Sequence, residues 1–263
     1  MEIHVRGTAQ DGGVPHLGCS CSRCTDARSD RTAVRYPASL RVDAGQSLLV
    51  DASMDVRHQV VGDVDGVVFT HAHLGHFPGI LQFGREVLDA DALPVYCTEG
   101  LAEFVRTNQP FTKLVSNGNV DLTPVGADGT IDLPKGEVRP FPVPHRDEFG
   151  TGTLGLEFRG SRSLVYVPDI DDWDDRTLAR IEAADIAVLD GTFWGTDEVS
   201  GQADVPHPPI EESLAALPLS ETDVYFTHLN HTNPVLDADS PESATLREAG
   251  AGVVEPGQRF DLG

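Results

Sequence analysis

The chain has 263 residues, enough for one large core, and reads as a single domain over 1–263. Its 19 Lys and Arg stand against 42 Asp and Glu, a formal charge of -23, with lysine only at Lys113 and Lys135. Such a surface repels polyanions and argues against binding along a nucleic-acid backbone, which needs clustered Lys and Arg; the acidity is read as serving solubility.

In chain order, a short strand at Ile3-His4-Val5 leads into the loop Gly7-Thr8-Ala9-Gln10-Asp11-Gly12-Gly13. A Gly-rich loop after a strand can cradle phosphate, but the helix and lysine of a P-loop do not follow, so the motif is weak. Cys19-Ser20-Cys21-Ser22-Arg23-Cys24 holds three of the four cysteines. Three thiols so close cannot all pair with one another, and metal binding fits better than redox-inert thiols. A tetrahedral Cys3His zinc site then needs one further ligand. Ala38 to Val42 and Ser47 to Val50 read as a hairpin whose second strand ends at Asp51. Met54 to Val61 reads as a short helix carrying a surface His58.

The apolar run Gly66-Val67-Val68-Phe69 delivers the chain's densest chemistry, Thr70-His71-Ala72-His73-Leu74-Gly75-His76. Alternate residues of an extended stretch face one side, so His71 and His73 can share one ion, and three close histidines point to a transition metal. From Pro78 to Ala90 apolar residues recur at helical spacing. Val95 to Cys97 is expected as a strand, with Cys97 a small core residue, and Gly100 to Thr107 as a helix.

Further on, Glu137 to Val143 is a strand ending at Pro144-His145. Thr153 to Phe158 and Ser163 to Val167 form a hairpin ending at Pro168-Asp169. Trp173 to Ala183 is a helix, and Ile186 to Leu189 a buried strand reaching Asp190. In the Gly- and Pro-rich loop to Pro209, Trp194 and His207 are candidates for lining the pocket, with packing of the loop the preferred reading. Val224 to Thr227 precedes His228-Leu229-Asn230-His231. Ser240-Pro241-Glu242 is a helix start, with Ser as cap and Pro at the first helical position, and Gly250 a stop. No segment approaches a membrane span, and Met1-Glu2-Ile3-His4 lacks the regions of a signal peptide, so a soluble, cytoplasmic protein is expected. A surface this acidic and this poor in lysine resembles that of proteins from salt-loving organisms.

Metal-capable side chains thus stand at the exits of four strands: His71, His73 and His76, then His145, then Asp169, then His228. The chain here resembles the metallo-β-lactamase fold superfamily, with its His-x-His-x-Asp-His motif, a distant His, a bridging Asp and a last His. Gly18 to Cys24, Val143 to Glu148, Leu189 to Trp194 and Phe226 to Pro234 resemble one branch, the PQQ biosynthesis protein B family. The cysteine cluster is also similar to that of the phosphonate-pathway cyclic phosphodiesterase.

The resemblance implies an α/β (α+β) fold, an αββα sandwich of two mixed β-sheets flanked by helices. It implies one structural zinc on Cys19, Cys21, Cys24 and His231, with His16 as the local rival. It implies an active-site metal on His71, His73 and His145 with Asp169 as bridge, and a second position at His76, Asp169 and His228. Zinc is expected, with iron or manganese as alternatives. Asp169, His76 and His228 are the expected catalytic residues, Asp169 orienting the attacking water. Asp51 and Asp190 are candidates for fixing histidine tautomers behind the ligands.

One departure stands out, because the family's Asp between the second and third histidines is Gly75. With no acid nearby in sequence, one tightly held metal and a second weak or absent are expected. The expected activity is hydrolysis of an ester, lactam or (cyclic) phosphodiester by metal-bound hydroxide. An iron-dependent oxygenase acting on a PQQ-precursor-like small molecule, and a non-catalytic metal-binding protein, are the competing readings. The expected partner is a small-molecule substrate, with no nucleic acid and no membrane; a homodimer stays open.

Overall fold

The computed structural model describes residues 1–126 and 129–263. Fourteen strands are seen among them: β1 (Glu2–Gly7), β2 (Ser39–Asp43), β3 (Ser47–Val50), β4 (Gly66–Val68), β5 (Leu93–Cys97), β6 (Val120–Pro124), β7 (Ile131–Leu133), β8 (Gly136–Pro142), β9 (Leu154–Arg159), β10 (Ser163–Val167), β11 (Ile186–Asp190), β12 (Asp223–Thr227), β13 (Gly252–Val253) and β14 (Arg259–Asp261). The α-helices are α1 (Ser22–Ser29), α2 (Val56–Gln59), α3 (Glu99–Thr107), α4 (Thr112–Ser116), α5 (Asp175–Glu182), α6 (Ile210–Ala216) and α7 (Pro241–Glu248).

The strands form two seven-stranded mixed sheets, ordered β14-β1-β2-β3-β4-β5-β6 and β13-β12-β11-β10-β9-β8-β7. Ile3, Val5, Leu40, Val42, Phe158, Leu164, Tyr166 and Phe260 share the buried cluster contributed by both sheets. A second cluster joins Leu49, Val67 and Val95 to Leu101 and Val105 of α3. A third joins Val165, Ala187 and Val224 to Ile181 of α5, Ile210 of α6 and Leu246 of α7. Helix, sheet, sheet and helix therefore stack as four layers, the αββα sandwich expected. Near-continuous burial of β4 and β11, read as GVV and IAVLD, is what parallel strands covered on both faces require.

This topology places the chemistry. Strand β4 runs parallel to β3 and β5, and β10, β11 and β12 run parallel to one another. Asp51, His71, Asp169 and His228 follow the C-terminal ends of β3, β4, β10 and β12, and Asp190 is the last residue of β11. Asp51 (φ 59°) and His228 (φ 58°) leave their strands in the left-handed region, a conformation that non-glycine residues adopt mainly where a site over-determines them.

Most expected elements form within a few residues of their expected bounds. The helix from Pro78 to Ala90 does not: only a 3-10 stretch, Pro78–Phe83, appears, because Gly84 turns extended (φ -70°, ψ 172°), and Val87 and Leu88 are exposed. Helix α5 starts at Asp175 rather than Trp173, because the Asp174 side chain caps it by accepting from the Thr177 N–H. Ser240 caps α7 as expected, with Pro241 at its first position and Gly250 beyond its end (φ 84°). No described helix is long and apolar enough to cross a membrane.

Candidate metal centre

The histidine loop is folded by its own backbone and by the neighbouring strand exit. The N–H groups of His76 and Phe77 both bond to the His73 carbonyl, closing a turn, while Ala52 N–H bonds to His76 O at 2.6 Å and Gly79 N–H to Ala52 O at 2.8 Å. Gly79 is required at this stitch, since a Cβ there would lie 2.2 Å from Ser53 O and 2.6 Å from Ala52 O.

Two groups of donor atoms result. His71, His73 and His145 converge in the first, with His145 Nε2 3.1 Å from His73 Nδ1. In the second, His76 Nε2 and His228 Nε2 lie 3.3 Å apart, and Asp11 Oδ1 is 3.5 Å from each. Asp169 stands between them. Its Oδ2 is 3.5 Å from His71 Nε2, 2.9 Å from His76 Nε2 and 3.2 Å from His228 Nε2, and its Oδ1 is 3.9 Å from His145 Nε2. Although close to these rings, Asp169 Oδ2 has no hydrogen-bond geometry toward any of them, and His71 Nε2 is likewise buried without a partner. Buried polar atoms are normally satisfied, and basic atoms that face one another at such distances need a cation among them. Imidazole and carboxylate donors suit a divalent transition metal, so the residues present fit that group.

Behind the rings, two buried aspartates act in parallel. Asp51 Oδ2 accepts from His76 Nδ1 at 2.8 Å and from the Thr70 hydroxyl at 2.8 Å, and that hydroxyl in turn lies 2.9 Å from His71 Nδ1. Asp190 Oδ2 accepts from His207 Nδ1 at 2.7 Å, while its Oδ1 accepts from the Thr192 hydroxyl at 2.7 Å, which lies 2.8 Å from His228 Nδ1. Each aspartate therefore fixes one imidazole directly and a second through a threonine. Asp171 Oδ1 holds His145 Nδ1 at 2.7 Å, and Glu148 Oε2 holds His73 Nε2 at 2.8 Å. In all five rings His71, His73, His76, His145 and His228 the nitrogen remote from the centre is bonded, which turns the other one inward, where it can ligate a metal once deprotonated.

Burial and neighbouring charge shift these groups in different directions. Burial opposes ionisation of Asp169, but His228, His76 and His71 overcome it and hold its carboxyl well below the usual range. At Asp11, burial is likewise overcome by bonding to His228 and His76. Burial also opposes charge on His76, yet Asp51, Asp11 and Asp169 raise it well above an ordinary imidazole. His71, desolvated and repelled by His76, falls well below. Asp51, Asp11 and Asp169 thus surround the His76 ring with negative charge.

A second cluster lies beside the first. Cys21 is the N-cap of α1 and its Sγ accepts from Cys24 N–H, so the helix start brings two thiols together. Sγ of Cys19, Cys21 and Cys24 and a ring nitrogen of His231 lie within 4.8 Å of one another. His16 is not in that group; its ring stacks on His231 at 4.6 Å and its Nδ1 bonds to Leu17 O. Cys97 is buried away in the core, and His58 is exposed and stacked on Tyr36.

A family model described as Beta-lactamase superfamily domain matches residues 43–229. Over 99% of both chains the sequence is 30% identical to coenzyme PQQ synthesis protein B of Cupriavidus necator. The chain belongs to the β-lactamase superfamily, in its coenzyme PQQ synthesis protein B branch. The protein B of Methylobacterium radiotolerans is 29% identical over the whole of both chains. Among solved structures, Zn(2+)-bound PqqB from Methylobacterium extorquens is similar with TM-score 0.85 and 26% identity over the whole of both chains. A diphosphatase from the PhnP family is similar with TM-score 0.72 and 26% identity, over 99% of this chain and 97% of that one.

The fold brings to the site Glu148, Asp171 and Asp11, which the sequence did not single out, and His207, for which loop packing was preferred to lining the pocket. Glu148 and Asp171 sit within three residues of expected ligands, but nothing local distinguishes them from other surface acids. His207, read as loop packing, is buried on Asp190 and 3.7 Å from Asp169 Oδ1; burial opposes its charge, but Asp190 raises its pKa to about 8. Trp194 does pack, half-buried against the α5 to α7 cluster. Asp11 bears on the expectation for the second position. The second position was expected to have only the shared carboxylate of Asp169, because Gly75 stands in the place of its own, yet Asp11 lies against Gly75, where a Cβ would meet its Oδ1 at 2.2 Å. The ground for a weak or absent second metal is thereby removed. The signal was an acid at the tip of a Gly-rich turn, in a loop read only for phosphate.

Proposed function

We propose that the chain is a metal-dependent hydrolase of small molecules, with zinc held by His71, His73 and His145 and by His76 and His228, and Asp169 between them. One observation carries this reading: two groups of inward-turned donors share a single buried carboxylate. A zinc ion held by these residues would supply a coordinated water with its pKa lowered toward ~7 and Lewis-acid polarisation of the substrate.

The chain's own residues supply the rest. Asp169, ionised and placed between the donor groups, orients the attacking water and accepts its hydrogen bond. Thr70 and Thr192, each donating to an aspartate, keep His71 and His228 in the ligating tautomer. His207, held by Asp190, keeps a proton beside the reacting centre for a leaving group. Arg146 Nη1 lies 3.5 Å from His207 Nε2, a cation where an anionic substrate would meet the site. Likeness to a PhnP-family diphosphatase supports phosphoryl substrates as the first class to test, before carboxylic esters and lactams.

The experiment is metal analysis of the purified protein followed by assay with bis(p-nitrophenyl) phosphate, p-nitrophenyl acetate and a chromogenic lactam. The expected result is zinc in the protein and nitrophenol release that chelation stops and zinc restores. Iron in the protein, with oxygen-dependent turnover and no hydrolysis, would overturn the reading.

A further inference from the structure

Gly75 and Asp11 occupy one space from two different loops. Asp11 is the second residue of the turn Gln10 to Gly13, closed by Gly13 N–H to Gln10 O at 2.8 Å with Gly13 at φ 64°. That turn is stitched to the loop after β12, with Gln10 N–H bonding to Leu229 O at 3.0 Å and Leu229 N–H to Thr8 O at 2.9 Å. Since Leu229 follows His228, the same stitch that positions the imidazole positions the carboxylate. The side chain of Asp11 is one quarter exposed, and its Oδ1 is equidistant, at 3.5 Å, from His76 Nε2 and His228 Nε2.

Position 75 is closed to any side chain while Asp11 is there. An ideal Cβ on Gly75 would lie 2.2 Å from Asp11 Oδ1, 2.7 Å from its Cα and 2.9 Å from its Cγ, and the Cα cannot swing aside as a flexible tip would. A glycine here is therefore the counterpart of the aspartate and not a missing ligand.

We propose that Asp11 is the carboxylate ligand of the second metal position, supplied by the N-terminal loop in place of the histidine loop, so that this chain holds two active-site metals. The inference rests on the metal-centre reading above. It deepens that reading by giving His76 and His228 an anionic partner of their own, with Asp169 shared. A carboxylate coordinates and also neutralises a divalent ion, which two neutral imidazoles cannot do. The two positions are alternatives: one aspartate, at 11 or at 75, with glycine opposite.

The test is zinc uptake by the metal-stripped full chain, followed by calorimetry and by elemental analysis of the loaded protein, with melting curves to verify folding. Wild type is expected to take up three zinc ions, one at the cysteines and two at the active site. Asp11→Asn, nearly isosteric, should weaken one active-site event at least about tenfold and leave the other two unchanged. Gly75→Asp alone should melt lower, because it collides with Asp11, whereas Asp11→Gly combined with Gly75→Asp should regain both melting temperature and the third zinc. Folded Asp11→Asn that binds three zinc ions with wild-type affinity would overturn the inference and leave the metal centre standing. So would a wild type that binds one active-site zinc. Wild type with zinc at the cysteines alone would instead bring down the metal-centre reading itself.

Discussion

Thr192 and His228 meet through a hydroxyl that cannot serve two acceptors: Oγ1 is 2.7 Å from Asp190 Oδ1 and 2.8 Å from His228 Nδ1. Its one proton goes to the carboxylate, so the ring must donate from Nδ1 and present a bare Nε2 to Asp169 and His76. Thr70 does the same between Asp51 and His71. Thr192→Val keeps the shape and deletes the relay. It should lower active-site zinc affinity by about 10- to 100-fold, measured by competition with a chromophoric chelator, while the cysteine site keeps its zinc. Unchanged affinity would mean that the tautomer is set by something other than this hydroxyl.

At the cysteine cluster, the helix start of α1 and the His231 loop are tied by Arg23, which donates to the His231 carbonyl. Zinc held there would cross-link segments distant in sequence, and its binding energy is folding energy. Cys21→Ser should cost about 2 kcal/mol or more, about 4–8 °C in a chain of this size, without emptying the histidine sites. Equal melting temperature and equal zinc content in the variant would refute a structural role.

Thiol chemistry offers an independent check on the three cysteines of that cluster. Cys97 is fully buried, and that burial pushes its thiol up to about 12. With zinc in place the expected count of fast thiols toward an aromatic disulfide is zero, and chelation should release three. Cys97 should react only when the protein unfolds. A fourth fast thiol in the folded, chelated protein would contradict the packing of β5 against α3.

The stitch at Gly79 predicts a purely steric loss. An added methyl would press on the carbonyls of Ser53 and Ala52, which are backbone and cannot rotate away. Gly79→Ala should cost about 1–3 kcal/mol in urea unfolding. A wild-type midpoint would show that the histidine loop can shift without loss.

How much of this was legible follows from how far apart the partners are. The strand exits carrying His71, Asp169 and His228 were readable because each follows a short apolar run whose local pattern already indicates a buried strand. The hairpin Ser39 to Val50 and the cap at Ser240 are equally local. Strand β14 was not readable, because Arg259–Asp261 is a strand only by pairing with β1 at the other end of the chain. Helical spacing over 78–90 misled because it counts apolar residues and is blind to Gly84, where the backbone turns extended. Asp11 was out of reach for the same reason as β14: a carboxylate becomes a metal-site residue only when two loops far apart in sequence are laid together.

The sharpest comparison uses two histidines that differ in surroundings and hardly in composition. His73 presents Nδ1 to His145 at 3.1 Å and gives Nε2 to Glu148, while His58 is exposed on α2 and stacks on the Tyr36 ring with centroids 5.1 Å apart. His73→Ala should remove one active-site zinc and lower hydrolysis by on the order of 100-fold or more, with the melting curve still that of a folded protein. His58→Ala should change neither, and should stay within about 0.5 kcal/mol of wild type, as surface substitutions do. Elemental analysis and turnover on the same samples read both effects. Similar losses in the two variants would mean that any histidine removed from this acidic chain weakens it, and the special place of His73 would be gone; loss in His73→Ala alone ties metal and chemistry to the loop that β4 delivers.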